Sequence, residues 1–274
     1  MLHRSLAAVA VSISVLAASP SFADDTDVLF DALGLPEILE VMRAEGIEYG
    51  AQIGTDLFPR ASNASWAATV ETIYDASTML DRVKSAFKTS LEGDDVPVML
   101  EYFTTEPGLS FARLEVSARR ALLDDAVEEA SKELAVLAGQ DQTIRYKQVE
   151  RFVQINDLVE TNVVGALNSN YAFYTGLMAG GAFSDALTED QILSDVWDQE
   201  PDIRANTNEW VYSFLLLAYD PVSDVDMENY IAFSQTTAGA QLNTTLFDAF
   251  DAIFDDISFT LGREAARMMS GAEL

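Results

Sequence analysis

The chain has 274 residues, with 45 acidic against 16 basic side chains, a formal net charge of −29 and no cysteine. Such acidity repels phosphate backbones and excludes nucleic acid as a partner, while a hydrophobic content of 49% excludes an acidic disordered tail. Disulfides and thiol chemistry are excluded too, and the only histidine is His3.

Residues 1–23 read MLHRSLAAVAVSISVLAASPSFA, with a positive charge at Arg4 and an apolar run from Leu6 to Ala18. Small residues follow at Ser21 and Ala23, then acidic Asp24-Asp25. This order predicts a secretory signal cleaved near Ala23, too short in its apolar core to be a transmembrane anchor. The expected location is periplasmic or secreted.

Beyond it the periodicity is helical. Pro36 suits a helix start, and Glu37 and Glu40 suit its first turn. Thr188-Glu189-Asp190-Gln191 reads as a capping box ahead of Ile192 and Val196. Leu242, Leu246, Phe250, Ile253, Ile257 and Leu261 recur at threes and fours, one stripe of a long helix. The expected fold class is all-α.

Two turns repeat. Phe103–Ser110 reads FTTEPGLS, and Phe233–Ala240 reads FSQTTAGA. A shift of 131 residues, which carries Gly108 onto Gly239, also carries Trp66 onto Trp197, Leu80 onto Val211, Tyr102 onto Phe233 and Ala121–Ala126 onto Ala252–Ile257. A shift of 120 places Leu35, Ile38, Leu39 and Glu40 over Ile155, Leu158, Val159 and Glu160, so the second copy carries extra residues, assigned to the loop Gly180–Asp185. The predicted organisation is two tandem, diverged helical repeats packed with pseudo-twofold symmetry: repeat 1 over 24–138, a polar linker over 139–148 and repeat 2 over 149–274. At each corner a threonine is expected to cap the second helix (Thr104 or Thr105; Thr236 or Thr237). Pro107 then falls in its first turn, and Gly108 and Gly239 permit close approach.

The corner motif, the export signal and the duplicated helical layout resemble domain-of-unknown-function family 2059. The likeness is to its long alphaproteobacterial members, which it meets in Leu35–Gly46 (LPEILEVMRAEG) and Asn170–Tyr174 (NYAFY). The resemblance implies an exported, all-helical bacterial protein and brings no activity or catalytic residues.

Without histidine or cysteine beyond His3, Ser-His-Asp and Cys-His catalysis and the usual zinc sites are excluded. No glycine-rich phosphate loop occurs, and no cofactor is expected. Carboxylates remain. The repeated pairs Asp124-Asp125 and Asp255-Asp256 are the candidates for a calcium site or an acid–base pair, against the plainer expectation of solvated or capping residues, with Asp125–Glu128 as a capping box. Glu40 and Glu160 fit helix-dipole roles. Asp220, Asp224, Asp226 and Glu228 have cation-like spacing but read as a capped turn. Asn162, Asn168 and Asn170 with Tyr171, Phe173 and Tyr174 suggest either core or a polar–aromatic pocket. Phe247, Phe250, Phe254, Phe259, Met268 and Met269 suggest core or a partner face, including a homodimer face. The expected function is non-enzymatic binding of an envelope protein or an apolar ligand in a groove between the repeats. The alternatives are a carboxylate-based hydrolase of envelope glycans or peptides, and a calcium-responsive structural module.

Overall fold

The computed structural model describes residues 24–58, 63–91, 95–183 and 188–272; the expected signal sequence and residues 184–185 of the expected insertion loop lie outside the described residues. Every described element is helical. In chain order these are α1 (Asp25–Ala32), α2 (Leu35–Leu57), α3 (Asn63–Ile73), α4 (Ala76–Ser90), α5 (Val96–Thr104), α6 (Gly108–Ala121) and α7 (Asp125–Asp141). They continue as α8 (Ile144–Ile155), α9 (Leu158–Ala179), α10 (Glu189–Trp197), α11 (Glu200–Tyr219), α12 (Asp224–Ser234) and α13 (Thr237–Ala272).

Local chemistry sets most starts. Side-chain oxygens of Asp24, Asp75, Asp124, Thr143 and Ser223 accept from backbone N–H groups at the heads of α1, α4, α7, α8 and α12. Thr188 and Gln191 close the expected capping box on α10. Pro36 lies in the first turn of α2, where its missing N–H costs nothing. The stripe from Leu242 to Leu261 does form one helix, and α13 is 36 residues long.

The expected linker is not a linker. Residues 139–141 complete α7, residues 144–148 belong to α8, and only Gln142 (φ 50) and Thr143 make the turn. The polar composition there belongs to exposed helix faces, with Tyr146 packed over Gly139 across the turn.

The corners form as helix–helix turns, but the two threonine caps differ. Thr236 Oγ1 accepts from the Gly239 N–H at 3.0 Å, as expected of a cap. Thr104 and Thr105 do not cap α6; their hydroxyls donate backwards to the Leu100 and Glu101 carbonyls at 2.6 and 2.7 Å, closing α5. Pro107, after a cis peptide bond from Glu106, stands at the N-cap instead. Both glycines behave alike. A Cβ on Gly108 collides with the Tyr102 carbonyl oxygen, and one on Gly239 collides with the Phe233 carbonyl oxygen.

One contiguous core spans both halves of the chain. At its centre the Tyr102 and Phe233 rings stack at 4.0 Å, within 11° of parallel, beside Phe103, Phe111, Phe152, Tyr219 and Tyr230. Around this cluster α7 packs on α11, while α13 packs along α9 and reaches α4. The α9–α13 contact is backbone to backbone. Gly176 lies against the Phe259 carbonyl, and Gly262 lies against the Phe173 carbonyl.

From α4 onward five pairs matched by the 131-residue shift are buried on both sides: Phe87 with Ala218, Phe111 with Leu242, Ala118 with Ala249, Leu122 with Ile253, Ala135 with Ala266. In others, such as Leu80 with Val211 and Tyr102 with Phe233, one member is only half-buried. Trp66 and Trp197 break that match. Trp66 is 2% exposed and donates to the Gly50 carbonyl at 2.6 Å, whereas Trp197 is 65% exposed. In α10 the buried residues against α9 are Ile192 and Val196.

Candidate functional site

A cleft of about 340 Å³ lies where helices from the first and second halves of the chain converge. Its walls are mostly apolar: Leu33 to Met42 from α1–α2, Phe152 from α8, Trp210 to Tyr219 along α11, and Leu242 to Phe254 along α13. Three of the phenylalanines expected to form core or a partner face (Phe247, Phe250 and Phe254) therefore line it, as does Asn162.

The polar members of the wall are few and specific. Glu115 stands on α6 in the stripe of Phe111, Ala118 and Leu122, a charged residue on an apolar face. Its Oε1 accepts from the hydroxyls of Tyr219 (2.7 Å) and Tyr230 (3.1 Å), both buried. No described residue hydrogen-bonds to Oε2. Burial pushes the Glu115 carboxyl up from its ordinary value, against the opposing effect of the two tyrosine hydrogen bonds. One turn further on, Arg119 gives its guanidinium to Glu45 in a two-pronged pair (2.9 and 2.6 Å) and lies 4.6 Å over the Trp210 ring. Asp251, on α13 across the cleft, is also pushed up, first by burial and then by Asp255 and Asp248. The side-chain amides of Asn162 and Asn243 are spent on the backbone carbonyls of Leu158 and Asn156.

A second recess, larger at about 700 Å³, lies between the α5–α6 corner and the α11–α12 corner, lined by Pro107, Ser110, Arg113, Ser223 and Asp226 among others. Its groups are largely occupied locally, Ser110 donating to Glu106 and Ser223 to Asp226. The other corner residues, Thr105, Gly108, Thr236, Thr237 and Gly239, are structural and line neither recess.

The acidic pairs go separate ways. Asp124 is the cap of α7, one residue ahead of the expected Asp125–Glu128 box, and Asp125 follows it in the exposed first turn. Asp256 pairs with Arg82 at 2.5 Å on the surface. Asp255 accepts from Ser169 at 3.2 Å and is pushed up by burial. Among the described residues no three His, Cys, Asp or Glu side chains gather as a metal site. Glu160 pairs with Arg204, which holds its carboxyl below the usual range, while Glu40 is exposed. Asp224 and Glu228 pair with Arg145 and Arg151, and Ser223 caps α12, so the cation-like spacing is indeed a capped turn. Asn168, Asn170 and Tyr171 diverge around α9. Asn168 is exposed, Asn170 bonds to Gln199, and Tyr171 donates to Glu189.

Sequence reasoning passed over Glu115. The available signal was its place in the apolar stripe of α6, at the position where the 131-residue shift sets Leu246. Leu246 also lines the cleft. No protein-family model matches this chain, and no curated protein or solved structure does either. No helix among the described residues is long and apolar enough to cross a membrane.

Proposed function

We propose that this chain is an exported, internally duplicated helical protein that binds one apolar small molecule in the cleft between its halves. The observation that carries this reading is the cleft itself: about 340 Å³, walled by aromatic and aliphatic side chains from both halves. Its volume falls within the usual range for small-ligand pockets, and so does its pattern of apolar walls with a few placed polar groups. Duplication is supported by the shared glycine–carbonyl corners, by the Tyr102–Phe233 stack of register-matched residues, and by five matched pairs buried on both sides, from Phe87 with Ala218 to Ala135 with Ala266. The reciprocal packing of α7 on α11 and of α13 on α4 fits a pseudo-twofold arrangement. Export rests on the order of residues 1–23.

Binding is favoured over hydrolysis on a physical ground. Acid–base catalysis by two carboxylates needs environments that push their pKa values apart, one raised and one left ionised. Glu115 and Asp251 are pushed in the same direction, and two tyrosines already occupy one oxygen of Glu115.

The test is titration with the neutral apolar fluorophore N-phenyl-1-naphthylamine. Saturable binding at one site, with quenching of Trp210 emission, is expected. Leu246→Arg, which places a charge in the cleft wall, weakens that binding at least about ten-fold. A failure to saturate, or an unchanged affinity in the variant whose fold is verified by circular dichroism, overturns the reading.

A further inference from the structure

We infer that the cleft's ligand carries an ammonium head on its apolar body, seated on the Glu115 carboxyl, with Asp251 a second acid of the same wall. This inference rests on the binding reading above and adds the chemical class. Four observations lead to it. First, Glu115 Oε1 is saturated by two tyrosine donors while Oε2 has no protein partner among the described residues, so the wall presents an acceptor without a donor. Second, among the described residues Arg119 is the only cation in the wall and is already paired with Glu45, leaving Glu115 and Asp251 as uncompensated acids. Third, the wall already holds a planar organic cation against an aromatic face, the Arg119 guanidinium over Trp210, and further rings at Phe214 and Phe254 offer faces to an ammonium group. Fourth, no group of three acids assembles among the described residues, so a bare metal ion lacks a coordination shell where an organic cation with N–H donors does not need one.

The chemistry is complementary in both directions. An ammonium N–H donates to Oε2 and its charge meets an acidic wall, while the apolar body leaves water for the aliphatic faces of α2, α11 and α13. Burial raises both carboxyls, and an arriving cation favours their ionised forms.

The experiment is displacement of bound N-phenyl-1-naphthylamine by three ligands of one chain length, n-octylammonium, octan-1-ol and octanoate, each below its aggregation concentration. Wild-type protein should prefer octylammonium to octanol by at least about ten-fold and bind octanoate weakest. Glu115→Gln keeps an acceptor for the two tyrosines and removes the charge; it should erase most of the preference for octylammonium over octanol. Asp251→Asn should reduce the preference independently, which guards against a folding defect in the first variant. Equal displacement by the ammonium and the alcohol, or a preference for octanoate, overturns the ammonium head while leaving an apolar cleft intact. No displacement by any of the three, together with no saturable binding of the fluorophore, overturns the binding reading itself.

Discussion

The stretch from α6 to α7 and the single helix α13 start alike and end differently. Each has in its first turn a glycine pressed on the carbonyl of an aromatic residue six positions earlier, and each continues into a run of two large apolar residues and two aspartates. In the first case the helix stops at Ala121 and restarts at Asp125; in the second it runs unbroken. Neither run contains glycine or proline, so propensity does not choose between them. The environment does. The second half of α13 is held against α9 with backbones touching at Gly176 and Gly262, whereas at the position matched to Gly262 the first half has Ser131. Ser131 is buried and donates to its own helix at Glu128. A helix clamped along its length stays straight; one without that clamp can break and be capped.

The largest expected effect breaks the clamp. Gly262→Val drives a branched side chain into the Phe173 carbonyl and should cost more than about 3 kcal/mol, since backbone on both sides prevents relaxation. Ser131→Ala, at the matched site, removes only a local hydrogen bond and should cost about 1 kcal/mol. Denaturant unfolding of the two variants checks the contrast. Similar losses at both sites show that the α9–α13 contact is not what keeps α13 continuous.

The second comparison sets Glu115 against Leu246. Glu115→Leu installs the residue type found 131 positions later but leaves two buried tyrosine hydroxyls without their acceptor, and should destabilise by about 1–3 kcal/mol. Adding Tyr219→Phe and Tyr230→Phe should recover most of that loss, because all three polar partners then leave together. A triple variant no more stable than the single one excludes the unpaired hydroxyls as the cause.

Glu115 also gives a sign for pH. Its folded value is raised above the ordinary 4.5, so between 4.5 and the raised value the folded state holds more protons than the unfolded chain. Stability contributed by this group therefore falls as pH rises through that window and is recovered as pH is lowered. Glu115→Gln should remove that slope, so the difference in Tm between wild type and variant should shift in favour of wild type as pH is lowered towards 4.5. Comparison with the same variant, rather than an absolute melt, cancels Asp27, Glu160 and Glu228, whose carboxyls are held low and act in the opposite sense.

Much of this was legible in the sequence, for identifiable reasons. The Leu242–Leu261 stripe and the Thr188 capping box are local signals, and both appear where the pattern put them. The 131-residue register found Gly108 and Gly239 because a carbonyl that excludes every Cβ leaves one residue type. It misplaced Trp66 and Trp197 because identity of type says nothing of burial when neighbouring helices differ in length. The linker was misread because an exposed helix face and a loop share a polar composition. Glu115 went unseen because its meaning comes from Tyr219 and Tyr230, more than a hundred residues away, and from the cleft between them.

The smallest effects concern the aspartates themselves. Asp124→Ala removes the cap that satisfies the Ala126 N–H and should cost about 1 kcal/mol, a loss expected only where the helix restarts. Asp256 lies at the register position of Asp125 but inside an unbroken helix, and it meets Arg82 of α4 through an ion pair about half exposed on both sides. Such pairs contribute little, because solvent screens the attraction and two long side chains lose freedom to make it. Arg82→Ala should therefore change stability by less than about 0.5 kcal/mol, and added salt should shrink even that. A loss above about 1 kcal/mol that persists in high salt has a different origin. It assigns the effect to the apolar stem of Arg82, which with Met79, Ile253 and Ile257 walls the small recess between α4 and α13, and makes that packing rather than the charge the reason α13 lies where it does.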